Sequence, residues 1–134
     1  MYFRAEFYDP FKQDINHGIN EIGEVEKGKI MKLFESIPWA EYLKKVEVRK
    51  EYDILDFPSL QIKNENNQNS LSVSAHNNKE WYIIYVRPKL VKKFFGLIEN
   101  NYMTSIEKQT EKEVRNCLEA FIKNDLQFLE NKII

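Results

Sequence analysis

FPSLQIKNENNQNSLSVSAHNNKEWYIIYVRPK, residues 57–89, is the stretch on which the fold turns. Leu60 and Ile62 alternate with polar neighbours, and so do Leu71, Val73 and Ala75. That period of two marks half-buried strands. Trp81-Tyr82-Ile83-Ile84-Tyr85-Val86 then breaks the alternation and puts bulk on both sides. The three runs read as an antiparallel meander, with Asn64–Asn69 as the first hairpin loop. An even loop at Asn77–Glu80 sets Leu71 opposite Val86, Val73 opposite Ile84 and Ala75 opposite Tyr82. In that register Leu60, Ile62, Leu71, Val73, Ala75, Tyr82, Ile84 and Val86 make the core face. Trp81, Ile83 and Tyr85, with His76 at their edge, make a second apolar face. Either the protein's own helices cover it, or a partner does.

Upstream, Phe3, Ala5 and Phe7 alternate with Tyr2, Arg4, Glu6 and Tyr8, a strand ended by Asp9-Pro10. Residues 11–23 read as an irregular connection. Ile30, Leu33, Phe34 and Ile37 recur at helical spacing from about Glu24, and Pro38 breaks the run. Trp39 to Leu43 follow as a further helical turn. Val46, Val48, Tyr52 and Ile54 share a parity, which predicts a strand.

Downstream, Leu90, Val91, Phe94, Phe95, Leu97 and Ile98 predict a short amphipathic helix over 88–99. A last helix is expected from Thr104 or Ser105 to about Asn131. Thr104 with Glu107 and Thr110 with Glu113 both have capping-box spacing. Val114, Cys117, Leu118, Phe121, Ile122 and Leu129 form its apolar stripe. The expected sequence order is therefore β-α-β-β-β-β-α-α. A block of strands with helices at the ends implies an α+β domain, an antiparallel sheet packed against helices. A chain of 134 residues is one ordinary domain, 1–134.

Composition bounds the function. The formal net charge is −1, which argues against a dedicated nucleic-acid binder. The single cysteine, Cys117, excludes an intrachain disulfide and a cysteine-based zinc cluster, and suits a reducing compartment. Residues Met1–Asp9 carry no basic stretch leading into an apolar run, and no segment has the length of a membrane span. A cytoplasmic protein with no membrane association is the natural expectation.

Signals of chemistry are sparse. His17 and His76 have no acidic residue at metal-ligand spacing on a regular element, so neither a metal nor a cofactor is expected. Cys117 lies mid-helix on an apolar stripe, the place of a structural thiol rather than a nucleophile. Gly18, Gly23 and Gly28 do not make a phosphate-cradling loop. Arg87, Lys89, Lys92 and Lys93, with Tyr82 and Tyr85 near them, form the one basic–aromatic cluster. It reads either as the solvated face of a helix or as a weak nucleic-acid contact.

These readings favour a non-catalytic protein-interaction module. Small bacterial α+β proteins of this kind include many immunity proteins, which bind and block a toxin; the comparison rests on size and architecture alone. Regulatory subunits fit equally. The partner is another protein, a toxin or regulatory target, or a second copy in a homodimer. Trp81, Ile83, Tyr85, His76 and Trp39 are the candidate contact residues. The alternatives are a small hydrolase or transferase with a site assembled from scattered residues, and the 87–93 nucleic-acid contact.

Overall fold

The alternation at the start of the chain produces strand β1, Phe3–Tyr8, with Phe3, Ala5 and Phe7 buried and Arg4 exposed. In the computed structural model residues 2–12, 17–48, 57–93 and 96–134 are described, with 89–93 and 96–101 described through their backbone alone. The chain returns along β1 as β2, Ile19–Val25, antiparallel to it. The turn closes where the Asp9 amide donates to the Gly18 carbonyl at 2.9 Å. Gly18 has φ +86°, and a Cβ there would stand 2.4 Å from the Asp9 carbonyl oxygen, so the position requires glycine.

Residues 19–23 were expected in an irregular connection, and Glu24 and Val25 at the start of the first helix; all are strand instead. INEIGEV carries no alternation because β2 is an edge strand with little burial on either side. A bulge opposite Ala5 and Glu6 also breaks its parity.

A 3₁₀ turn, Lys27–Lys29, leads into α1, Ile30–Ser36. Pro38 then separates α1 from α2, Trp39–Glu47. The second helix is longer than expected, since Trp39, Tyr42, Leu43 and Val46 make one apolar stripe. Val46 and Glu47, expected in a strand, close this helix. Val48, expected in the same strand, caps the helix, and the rest of that strand, Arg49 to Ile54, lies outside the described residues.

The meander forms β3, Ser59–Asn64, β4, Ser70–Ala75, and β5, Trp81–Lys93. Asn64 and Asn67 side chains organise the first loop by accepting from the amides of Asn66 and Asn69, both at 2.9 Å. Strand β6, Gly96–Gln109, completes the sheet, whose order is β2-β1-β3-β4-β5-β6, antiparallel at every pairing. Then come α3, Glu111–Ile122, and α4, Leu126–Lys132. The α+β class is therefore that expected, in the order ββααββββαα.

The register between β4 and β5 differs from the expected one by one residue. Leu71 pairs with Tyr85, Val73 with Ile83 and Ala75 with Trp81. The cause is the loop, which runs from His76 to Glu80 and is therefore odd in length. The Asn77 side chain accepts from the amides of Lys79 and Glu80, both at 2.8 Å, and the His76 amide donates to the Glu80 carbonyl. A one-residue shift exchanges the faces of a strand. Trp81, Ile83 and Tyr85 thus join Leu60, Ile62, Leu71, Val73 and Ala75 in the core. Tyr82, Ile84 and Val86, expected in the core, lie half-buried on the opposite face.

The helices cover the face that carries Phe3, Leu60, Val73 and Ile83, and the core joins those residues to Ile30, Phe34, Val114, Cys117, Leu118, Phe121 and Leu129. Trp39 and Trp81 meet edge to face with centroids 4.9 Å apart, and Phe34 stacks obliquely on both at 5.6 Å. The Trp39 indole N–H donates to the Phe34 carbonyl at 2.9 Å, so burying that ring leaves no polar atom unpaired.

Two further expectations fail. Residues 88–93 and 96–99 are strand rather than helix, and Phe94 and Phe95 lie outside the described residues. The last helix begins six or seven residues later than expected, because β6 runs through Thr104 and Glu107 to Gln109, and it is two helices rather than one, α4 starting anew where the Asp125 side chain accepts from the Phe128 amide. Of the two capping boxes only the later one forms, with the Glu113 amide donating to the Thr110 hydroxyl at 3.2 Å.

Candidate interaction site

Strands β5 and β6 are the longest in the protein, at 13 and 14 residues. Pairing of β4 with β5 ends at Ser70 and Val86. Beyond it, seven further pairs, Arg87↔Tyr102 through Lys93↔Gly96, join β5 to β6 alone. At about 3.3 Å per residue the two strands leave the sheet as a ribbon ~20 Å long. Pro88 falls just past Val86, where β4 no longer flanks β5. A residue without an N–H is tolerated there.

The root of this ribbon is built from side chains. Arg87, only 8 % exposed, lies between two rings, its guanidinium carbon 4.4 Å from the Tyr85 centroid and 4.5 Å from that of Tyr102. Its Nε and Nη2 donate to the two Glu130 oxygens at 2.6 and 2.9 Å, a bidentate pair with α4. Its Nη1 donates to the Thr104 hydroxyl at 3.0 Å and to the Tyr85 carbonyl at 3.3 Å. The Asn69 side-chain Nδ2 donates to the Tyr85 hydroxyl at 3.1 Å. Burial raises the Tyr85 pKa above its ordinary 10, partly offset by the Arg87 charge, so the phenol stays neutral. A hollow of about 330 Å³ opens at this cluster, lined by Tyr85, Arg87, Tyr102 and Glu130 among others. The charged groups there already bind each other.

The expected contact residues fall in different places. Trp81, Ile83 and Tyr85 are at most 4 % exposed, and Trp39 is 9 % exposed, so all four are core. Helices α1 to α3 supply the cover that decides between the two readings of that face. His76 is half-buried, its ring stacked on Phe57 at 4.0 Å and 15°. Burial lowers its pKa below the ordinary 6.5, with Glu107 and Glu80 pulling the other way. Arg87 is withdrawn from any basic surface by Glu130, and Lys89, Lys92 and Lys93 belong to a strand rather than to a helix face. Cys117 is buried, its thiol pushed up to about 11 by desolvation. Among the described residues no group of three or more His, Cys, Asp or Glu side chains is placed to hold a metal ion, and no helix is long and apolar enough to cross a membrane.

Glu130, Tyr102 and Asn69 complete the ribbon root and had no signal in the sequence. Each lies on a different element from Arg87, so only the tertiary fold brings them together. Comparison with protein families, curated proteins and solved structures returned no match.

Proposed function

We propose that the protein is a non-catalytic protein-interaction module that binds and blocks a partner protein, in the manner of an immunity or regulatory protein. The observation that carries this reading is the β5–β6 ribbon, which leaves the sheet for seven residue pairs on a braced root. A two-stranded ribbon is marginal by itself in water, and this one includes Leu90, Val91, Leu97 and Ile98. An element of that composition gains stability by adding to another chain. The saturated Arg87–Glu130 pair favours a structural root over a reactive centre. A buried free thiol accords with a reducing, cytoplasmic setting.

The test replaces residues 88–101 by a tight turn, so that β5 and β6 end level with β4. The trimmed protein should keep its circular dichroism and lose the partner that the full chain captures from its host. Equal capture by both would overturn the reading.

A further inference from the structure

The sheet has two edges, and they differ in what protects them. Strand β2 is short, bulged opposite Ala5 and Glu6, and bears Glu21 and Glu24 within its seven residues. Those are the features by which proteins keep an edge from pairing with another chain. Strand β6 has none of them over most of its length. Eleven consecutive pairs, Ile83↔Ile106 through Lys93↔Gly96, run without a break, and its irregularity falls at the far end, where Lys108 has φ +57°. From Gly96 to Ile106 Glu99 is the only charged residue, and there is no proline.

We infer that the open edge of β6 pairs antiparallel with β6 of a second copy across a two-fold axis. The inference rests on the ribbon being an interaction element and names what occupies its outer edge. A two-fold contact sets a surface against itself, and an antiparallel edge meets that condition at any centre. For an axis between Leu97 and Ser105, like charges face each other only at two centres, Glu99 itself and Met103, where Glu99 meets Glu107 of the second copy.

Charge also favours this occupant. Residues 88–101, beyond the paired Arg87, hold three basic side chains and one acid, so they carry +2 and the remainder of the chain −3. With the axis near the middle of β6, antiparallel pairing lays the distal half of the strand, with its basic ribbon, beside the more acidic body of the second copy. Parallel stacking of ribbon on ribbon would oppose like charges.

Sedimentation of the full chain, together with oxidative crosslinking of single cysteines placed in turn from Leu97 to Ser105, tests the inference. The native Cys117 is buried and stays silent. A dimer is expected, with crosslinking concentrated at the one position nearest the axis. Met103→Lys should weaken association more than about tenfold, and Ile22→Lys on β2 should leave it unchanged. A dimer with no crosslink anywhere in that run would overturn the inference, and so would a monomer. In the monomer case the reading of the ribbon is decided separately, by whether the trimmed chain still captures a partner. Should Met103→Lys fail to fold, the cysteine series decides alone.

Discussion

The two edge strands β2 and β6 belong to one sheet and meet solvent in opposite ways. One is short, acidic and bulged, and carries two exposed isoleucines, Ile19 and Ile22, without presenting a continuous ladder. The other is twice as long, and from Gly96 to Ile106 it is regular and carries one charged residue, Glu99. Because both edges share a core, the difference does not come from stability. It separates an edge built to stay single from an edge open to pairing, which is a functional distinction written in backbone regularity and charge.

The largest effect should come from the shared core. Trp81→Ala removes a ring that packs on Trp39 and Phe34, and is expected to cost about 3–5 kcal/mol. Urea denaturation should show one lowered midpoint for both edges together. A variant that folded normally while losing its partner would return Trp81 to the contact surface and break the comparison.

Next comes the root of the ribbon. Arg87→Met removes the bidentate pair and both ring contacts. Glu130 is 47 % exposed and can rehydrate, so the cost should be about 1–2 kcal/mol rather than the larger penalty of a stranded buried charge. Hydrogen exchange should quicken in β5 and β6 and remain unchanged in β1 and β2. Uniform quickening would mean that the pair braces the whole fold.

Charging the two edges sharpens the contrast with little change in stability. Met103 is 64 % exposed and Ile22 is 41 % exposed, so lysine at either should shift the unfolding free energy by no more than about 0.5 kcal/mol. The two variants should differ in association and agree in melting temperature at protein concentrations low enough to keep both monomeric.

The smallest effect concerns His76. Its pKa is lowered in the folded state by burial, so the unfolded chain binds the proton more readily. Stability from this group is complete above the ordinary value of 6.5 and is lost as pH falls below it. His76→Gln should flatten the acid side of the stability–pH curve below that value. An unchanged slope would remove His76 from the account.

Much of the sheet was legible because burial on one face writes a period of two into the chain. Phe3-Ala5-Phe7, Leu60-Ile62 and Leu71-Val73-Ala75 all read correctly, and Pro38 correctly divided two helices. The candidate site was read less well, for three physical reasons. A strand with bulk on both sides fixes no register, so the His76–Glu80 loop settled which face of β5 is core. Edge strand β2 is little buried on either face, and so lacks the alternation that marks a half-buried strand. The apolar pairs Leu90-Val91 and Leu97-Ile98 suit helical spacing as well as they suit two strands. Glu130 reaches Arg87 across 43 positions, a distance no local pattern spans.

Amide hydrogen exchange on the full chain at low and high protein concentration tests the difference between the edges most directly. The account predicts that protection of β6, from Leu97 to Ile106, rises with concentration while that of β2, from Ile19 to Val25, stays constant. Equal behaviour of the two strands would contradict it.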